Sequence, residues 1–294
     1  MSNSNVIPIE AWNGVLFDKF CRFRHVLTYG LSTHSDEVLR RRPFGSGGRI
    51  LDVGCGFGDT TRLIALQVAS GGTSVGVDCG ARFIELANRE LAESPIDNAA
   101  FFVADAEADE LNGPYDHVFS RFGTMFFNRP GAALRNIHRA LVPEGTLRMI
   151  VWRRREDNPW IHDAELMVKQ MVPVVSHEDT DQVHCGPGPF SMASADATSE
   201  LLRYAGFDRV SFERFDTEVC IGRSLEEAVD FAMNLGPAGE IMRLAGKEGE
   251  RKRGVVMEAL SRLMLQRLRP DGVWAGSSSW LVSACKTTRS QSMT

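Results

Sequence analysis

A doubly wound, mostly parallel α/β sheet is the fold this sequence predicts, and three observations predict it. Short apolar runs suited to buried strands alternate with amphipathic helical stretches from Arg49 to Trp152. Three successive runs close on an acid, at Asp52, Asp78 and Asp105, which brings those carboxylates to one edge of such a sheet. Between the first run and its helix lies Gly54-Cys55-Gly56-Phe57-Gly58. Its glycines allow backbone angles and close approach that side chains would obstruct, and they leave N–H groups free near a helix N-terminus.

The elements follow in order. Residues 1 to 8 are polar, and apolar residues at mixed helical spacing between Glu10 and Arg42 predict two or three short helices beside the sheet. Pro43-Phe44-Gly45-Ser46-Gly47-Gly48 is a turn-rich link into the first strand, Arg49 to Asp52. A helix carrying Leu63, Ile64, Leu66 and Val68 stops at Ser70-Gly71-Gly72. Ser74 to Asp78 is the second strand, Phe83, Ile84, Ala87 and Leu91 mark the next helix, and Ala100 to Asp105 is the third strand. Asp116 to Arg121, a helix from Pro130 to Leu141, and Thr146 to Trp152 continue the alternation.

Beyond Trp152 the pattern loosens. A helix from Asn158 to Val175, a loop from Ser176 to Phe190, a helix from Ala195 to Tyr204 and a strand from Val210 to Val219 are expected. Ser224-Leu225-Glu226-Glu227 has the form of a capping box, a charged helix runs from Glu248 to Leu268, and Trp280 to Cys285 reads as the last strand. Residues 220 to 275 then form a helical excursion in the position of a lid. The chain divides into an N-terminal helical segment and linker (1–48), a cofactor-binding core (49–152) and the rest of the sheet with helical substrate and lid insertions (153–294), all one structural domain.

Composition narrows the function. A net charge of -5 provides no basic field for a phosphate backbone, so no nucleic-acid partner is expected. Six scattered cysteines without a C-x-x-C pair, no leader and no long apolar run predict a cytoplasmic protein with reduced thiols and no membrane contact. The cluster His177, Glu178, Asp179, Asp181, His184 and Cys185 is irregularly spaced and reads as a solvated acidic loop, so no metal is assigned.

The glycine spacing is G-x-G-x-G, with Asp59 where a dinucleotide fingerprint would place its third glycine. Clustered carboxylates disfavour a free phosphate and suit a ligand with ribose hydroxyls and a positive charge. Asp78 can accept from both hydroxyls of a ribose and Asp105 from the exocyclic amine of an adenine.

Here the sequence resembles the class I S-adenosylmethionine-dependent methyltransferases. Leu51-Asp52-Val53-Gly54-Cys55-Gly56-Phe57-Gly58 resembles their first motif, Gly76-Val77-Asp78 their ribose-binding strand, and Ala104-Asp105-Ala106-Glu107 their adenine-binding turn. Leu141-Val142-Pro143-Glu144-Gly145-Thr146-Leu147 resembles their L-x-P-G-G-x-L signature with Glu144 replacing a glycine. Ser120-Arg121-Phe122-Gly123-Thr124-Met125-Phe126-Phe127, with Trp12-Asn13-Gly14 and Asn158-Pro159-Trp160, is similar to a bacterial small-molecule subgroup of the methyltransferase type 11, UbiE-like kind.

The resemblance implies a Rossmann-like seven-stranded sheet, S-adenosyl-L-methionine as cofactor and S-adenosyl-L-homocysteine as product. Asp52, Gly54, Cys55, Gly56, Gly58 and Thr60 of the first motif, Asp78, Cys79, Asp105 and Ala106 of the next two strand ends, and Ser120 and Arg121 of the fourth are the implied cofactor contacts. Arg121 suits the methionyl carboxylate or an acidic substrate. The implied activity is methylation of an O, N or C atom of a small apolar or aromatic metabolite by in-line displacement. Trp12, Met125, Phe126, Phe127 and Trp160 are candidate walls for that acceptor, and His184 or His162 a candidate general base. Two other readings stand beside it: a nicotinamide-dependent oxidoreductase, and a non-catalytic cofactor binder of the same fold. A homodimer is compatible, because a helical front and lid can equally be dimer surface.

Overall fold

The computed structural model describes residues 7–69, 71–172 and 187–287. Three helices come first: α1 (Ile9–Asn13), α2 (Val15–Arg22) and α3 (Ser32–Arg41), with a π-helical turn, Val26–Gly30, between the last two. The alternating core follows as β1 (Arg49–Val53), α4 (Asp59–Val68), β2 (Thr73–Asp78), α5 (Ala81–Glu93), β3 (Ala99–Val103), β4 (Tyr115–Arg121), α6 (Pro130–Ala140) and β5 (Leu141–Trp152). Then come α7 (Pro159–Met171), α8 (Ala195–Tyr204), β6 (Asp208–Gly222), α9 (Leu225–Asn234), α10 (Pro237–Leu244), α11 (Gly246–Leu265), β7 (Leu268–Arg269) and β8 (Gly272–Cys285).

The strand order is β3-β2-β1-β4-β5-β8-β6, with β7 a two-residue addition to β8. The first five strands pair in parallel and β8 joins β5 and β6 antiparallel. The order reverses between β1 and β4, and in an open sheet such a switch point opens a crevice outside the strand C-termini.

Strand alternation splits the core into two faces. Leu51, Val53, Val118, Leu147, Met149 and Val151 pack with Ala133, Leu134 and Ile137 of α6. Ile50, Phe119 and Ile150 pack on the opposite side with Ile64 and Val68 of α4 and Val38 and Leu39 of α3. Both faces are covered, which is why these parallel strands read as continuous apolar runs. Full burial of each such side chain contributes about 1.5–3 kcal/mol.

Several boundaries differ from the sequence expectation. The last strand begins at Gly272, eight residues before Trp280. Three of its serines, 277 to 279, are buried: His34 Nδ1 lies 2.8 Å from Ser279 Oγ, His34 Nε2 2.9 Å from Ser277 Oγ, and Ser278 Oγ donates to Asp216. Tertiary partners replace the apolar alternation that marks a strand, so positions 220 and 275 belong to the sheet and only α9 to α11 form the excursion. The charged helix ends at Leu265, because Leu268 and Arg269 turn into the β7 pairing. At α9, Ser224 Oγ accepts from Glu227 N at 3.2 Å as a capping box requires. The Glu227 carboxylate, however, accepts from Arg223 N at 2.7 Å instead of from the N-cap amide.

Among the described residues no helix is long and apolar enough to cross a membrane. No group of His, Cys, Asp and Glu among them is set to hold a metal.

Candidate active site

The glycine loop is shaped by short chain-to-chain contacts. Gly54 N and Cys55 N both donate to Val77 O, at 2.8 and 3.0 Å, which folds the end of β1 over β2. Gly54 has φ +70°, and a Cβ there would stand 3.0 Å from Gly123 Cα. The β1 and β4 loops therefore meet backbone to backbone, an approach only glycines allow. Gly56 has φ +53° and opens on space clear to 4 Å, a cradle on which a ligand can lie against bare backbone.

Asp78 braces this loop. Its Oδ2 accepts from Gly56 N at 3.0 Å and its Oδ1 from Gly80 N at 2.8 Å. Each oxygen keeps a further lone pair for a ligand. Burial raises the Asp78 carboxyl from its ordinary value while the two amides pull it back. Asp105 sits at the next strand end, where its Oδ1 accepts from Glu107 N at 2.9 Å and fixes the turn.

Asp52 has a different setting. It is buried beneath the loop, accepts from Thr61 Oγ1 at 2.7 Å, and is pushed up to about 7 by that burial. Its carboxylate ties β1 to α4 and stays off the cavity wall. Ser120 is also buried and donates to Val53 O at 2.7 Å, locking β4 to β1. Gly58 and Thr60 likewise lie behind the wall; a Cβ on Gly58 would come within 2.5 Å of the Phe101 ring.

The cavity itself encloses about 380 Å³ and is lined by Gly54, Cys55, Gly56, Asp78, Cys79, Asp105, Ala106 and Arg121 on the side of the strand ends. Trp12, Met125, Phe126, Phe127 and Trp160 line it as well, so the structure brings the sequence-selected acceptor walls and these eight residues to one space. His162 does not line it; its Nδ1 faces Glu165 Oε2 at 4.0 Å. Helix α7 turns this side chain away from the cavity and toward its own next turn. His184 lies outside the described residues.

Sequence reasoning selected Trp160 but missed the aromatic wall it belongs to. Phe122 and Trp152 stack with centroids 3.9 Å apart and planes inclined by 14°. Trp160 adjoins Trp152 at 5.1 Å, and Phe231 of α9 stacks on Trp160 at 6.3 Å. All four line the cavity. Phe122 holds φ +58°, a left-handed conformation that costs a bulky residue roughly 1–3 kcal/mol and tends to mark functional sites. Its amide donates to Ile150 O at 2.9 Å, which keeps the ring turned onto Trp152. No sequence signal announces Phe231 or Trp152, because single aromatics in a helix and at a strand end look like ordinary core.

Asn158 sets the orientation of Trp160. Its Oδ1 accepts from Trp160 Nε1 at 3.1 Å and from Ser278 N at 2.9 Å. Its Nδ2 donates to the carbonyls of Arg154 and Ser278, both at 3.0 Å. Asn158 is buried and bonded at both ends of its amide, and this accounts for the Asn-Pro-Trp sequence.

The N-terminal helices roof the cavity. Trp12 makes edge contacts with Phe20 at 5.7 Å and Phe126 at 5.4 Å, and Phe17 and Phe57 pack on Phe83 at 4.9 and 5.1 Å. Arg24 lies 4.6 Å from the Phe57 ring centre and donates to both Glu90 oxygens, pinning the roof to the loop and to α5. The Asn128 side chain brackets the backbone of Ile7 with bonds of 2.9 and 3.0 Å.

Comparison with known proteins places this geometry. Residues 50–145 match a family described as "Methyltransferase domain". A demethylmenaquinone methyltransferase of Lactiplantibacillus plantarum is 21% identical over 225 residues, 74% of this chain and 94% of that protein. The ubiquinone/menaquinone biosynthesis C-methyltransferase UbiE of Pseudomonas aeruginosa is 24% identical over 174 residues, 57% of this chain and 68% of the relative. Among solved structures, phosphoethanolamine N-methyltransferase 2 of Haemonchus contortus in complex with S-adenosyl-L-methionine superposes with TM-score 0.57 at 16% identity, covering 96% of this chain and 61% of that one. The YcgJ protein of Bacillus subtilis gives TM-score 0.55 at 14% identity, covering 87% and 99%. At these identities the structural likeness is one of fold.

Proposed function

The chain is a class I S-adenosylmethionine-dependent methyltransferase, and we propose that it methylates a small, flat aromatic metabolite held against the wall of Phe122, Trp152, Trp160 and Phe231. That wall is the observation that carries the reading. Aromatic faces recognise ring systems by offset stacking worth about 0.5–1.5 kcal/mol per pair beyond area burial. The two quinone-pathway relatives, whose names describe methylation of ring compounds, support the same acceptor class.

The protein's own part in the reaction is arrangement. Bound S-adenosylmethionine supplies a sulfonium methyl open to in-line attack. Gly54 and Gly56 bring bare backbone to the cofactor, Asp78 accepts from its ribose hydroxyls, and Asp105 accepts from the adenine amine. The fit rests on the space in front of Gly56 and on the free lone pairs of a preset Asp78. Leu27, Leu31 and Leu235 of the wall and roof keep water from the transfer path, which favours displacement over hydrolysis. Stacking on Trp152 and Trp160 orients the acceptor so that one ring atom or ring substituent faces the methyl.

Incubation with methyl-labelled S-adenosylmethionine and a panel of phenols, quinols, aryl amines, aliphatic amines and aliphatic acids tests this. Label is expected in the aromatic compounds. Transfer confined to the aliphatic members would refute the aromatic acceptor while leaving methyl transfer intact.

A further inference from the structure

The chain has five tryptophans, and three of them spend the indole N–H inside the protein. Trp160 Nε1 donates to Asn158 Oδ1 at 3.1 Å, Trp274 Nε1 to Asp271 Oδ1 at 3.1 Å, and Trp280 Nε1 to Ala193 O at 2.9 Å. Among the described residues the indoles of Trp12 and Trp152 donate to no group, and both rings line the cavity. Trp12 is half-buried, so water can serve its N–H. Trp152 is only 3% exposed, and a buried tryptophan ordinarily finds a partner.

The Trp152 ring is held where it stands. Phe122 stacks on it at 3.9 Å, and the rings of His34 and Trp160 stand against it at 5.0 and 5.1 Å. Its backbone N–H donates to Met125 Sδ at 3.2 Å, which fixes the chain beneath the ring. His34 cannot relieve the indole, because its Nδ1 and Nε2 are spent on Ser279 and Ser277. The indole nitrogen is not sealed in protein, and the space beside this ring is the cavity it lines. Its neighbour Trp160 has no N–H to offer there, since Asn158 takes it, and the Thr28 hydroxyl on the cavity wall donates to Arg24 O at 2.8 Å.

An indole N–H is a donor only. It is satisfied by a ligand oxygen with a free lone pair, as on a phenol or a ring carbonyl. An aryl amine presents N–H groups and a lone pair delocalised into its ring, and a bare hydrocarbon presents nothing, so both leave the donor unmatched. Sites with a buried donor discriminate against ligands that cannot fill it.

We propose that Trp152 is a specificity-determining residue whose indole N–H receives an oxygen atom of the aromatic acceptor, so that the cavity selects oxygenated rings over aryl amines and hydrocarbons. The inference rests on the aromatic-acceptor reading and deepens it.

Equilibrium dialysis of the protein saturated with S-adenosylhomocysteine tests it, with 1-naphthol, 1-naphthylamine and naphthalene as probes. Trp152→Phe keeps an aromatic face without the N–H. Benzothienylalanine at the same position keeps the bicyclic shape and puts sulfur where the N–H stood. The benzothienylalanine protein is expected to bind naphthalene and 1-naphthylamine within about twofold of wild type, which reports an intact wall, and to lose about fivefold in 1-naphthol affinity, the size of one hydrogen bond. Trp152→Phe should lose at least as much for 1-naphthol, and more than it loses for naphthalene. In the benzothienylalanine protein, 1-naphthol binding that survives unchanged, or a loss shared by the amine or by all three probes, overturns the proposal. A wild-type protein that binds S-adenosylhomocysteine but none of the probes overturns the aromatic-acceptor reading instead.

Discussion

At the scale of the residue, Asp78 and His34 do different work. Asp78 holds two loop amides and keeps lone pairs toward the cavity. Replacing it with alanine removes charge-assisted bonds worth roughly 1.5–3 kcal/mol each. Asp78→Ala should therefore weaken S-adenosylhomocysteine binding by about 10- to 100-fold in a calorimetric titration, with circular dichroism unchanged. His34 performs no chemistry at the cavity. It sits between Ser277 and Ser279 with edge contacts to Phe122, Trp152 and Phe215, and burial pushes it down to about 3. The unfolded chain then binds a proton at His34 between pH 6.5 and 3 that the folded protein refuses, so stability falls as pH falls through that window. Urea unfolding of wild type and His34→Gln should converge or cross as pH is lowered from 7 to 4, because only the wild type carries this proton penalty. Parallel curves would show that His34 does not titrate on unfolding.

At the scale of the element, Asn158 shows how a loop residue controls a helix and a strand together. Its amide bonds tie the start of α7 to β8 and aim the Trp160 indole. Asn158→Ala strands several buried donors and acceptors, at about 1–3 kcal/mol for each group left unsatisfied. A loss of roughly 3 kcal/mol in unfolding free energy is expected, with a shift of tryptophan emission toward longer wavelength as the Trp160 pocket loosens. The same elements explain what the sequence made legible. The alternation from Arg49 to Trp152 was readable because each strand is buried on both faces and each helix on one. Asp78, Asp105, Gly54 and Gly56, which the structure places on the cavity, were readable as a group because glycines and strand-end acids recur at fixed offsets in the sequence. The first half of β8 was not, since Gly276-Ser277-Ser278-Ser279 looks like a loop until His34 and Asp216 are seen to satisfy it. Asp52 was misread as a cavity residue for a related reason: a carboxylate ending a strand points to solvent or ligand by default, and only the position of Thr61 reveals that it turns inward. Of the aromatic wall only Trp160 was singled out from the sequence; Phe122, Trp152 and Phe231 come from three other stretches, and nothing in the sequence shows that they stack with it.

At the scale of the whole molecule, the ends of β1 to β4 line one side of the cavity while helices outside residues 49–152 cover the other. Helices α1 and α2 bring Trp12 and Phe20, α7 brings Trp160, and α9 brings Phe231. In the proposed reading, cofactor determinants lie at the ends of β1 to β4 and acceptor determinants are shared between Phe122 and Trp152 of the core and Trp160 and Phe231 of the flanking helices. A substitution on the aromatic wall should alter acceptor use and leave cofactor use alone. The most direct test is steady-state transfer of labelled methyl to a productive aromatic acceptor by wild type and Trp160→Leu, which keeps apolar bulk but removes the stacking face. A fall of about tenfold in kcat/KM for the acceptor is predicted, equal to roughly 1.4 kcal/mol, with KM for S-adenosylmethionine unchanged. Unchanged acceptor kinetics, or an equal loss in cofactor KM, would contradict a methyltransferase that reads its substrate on this wall.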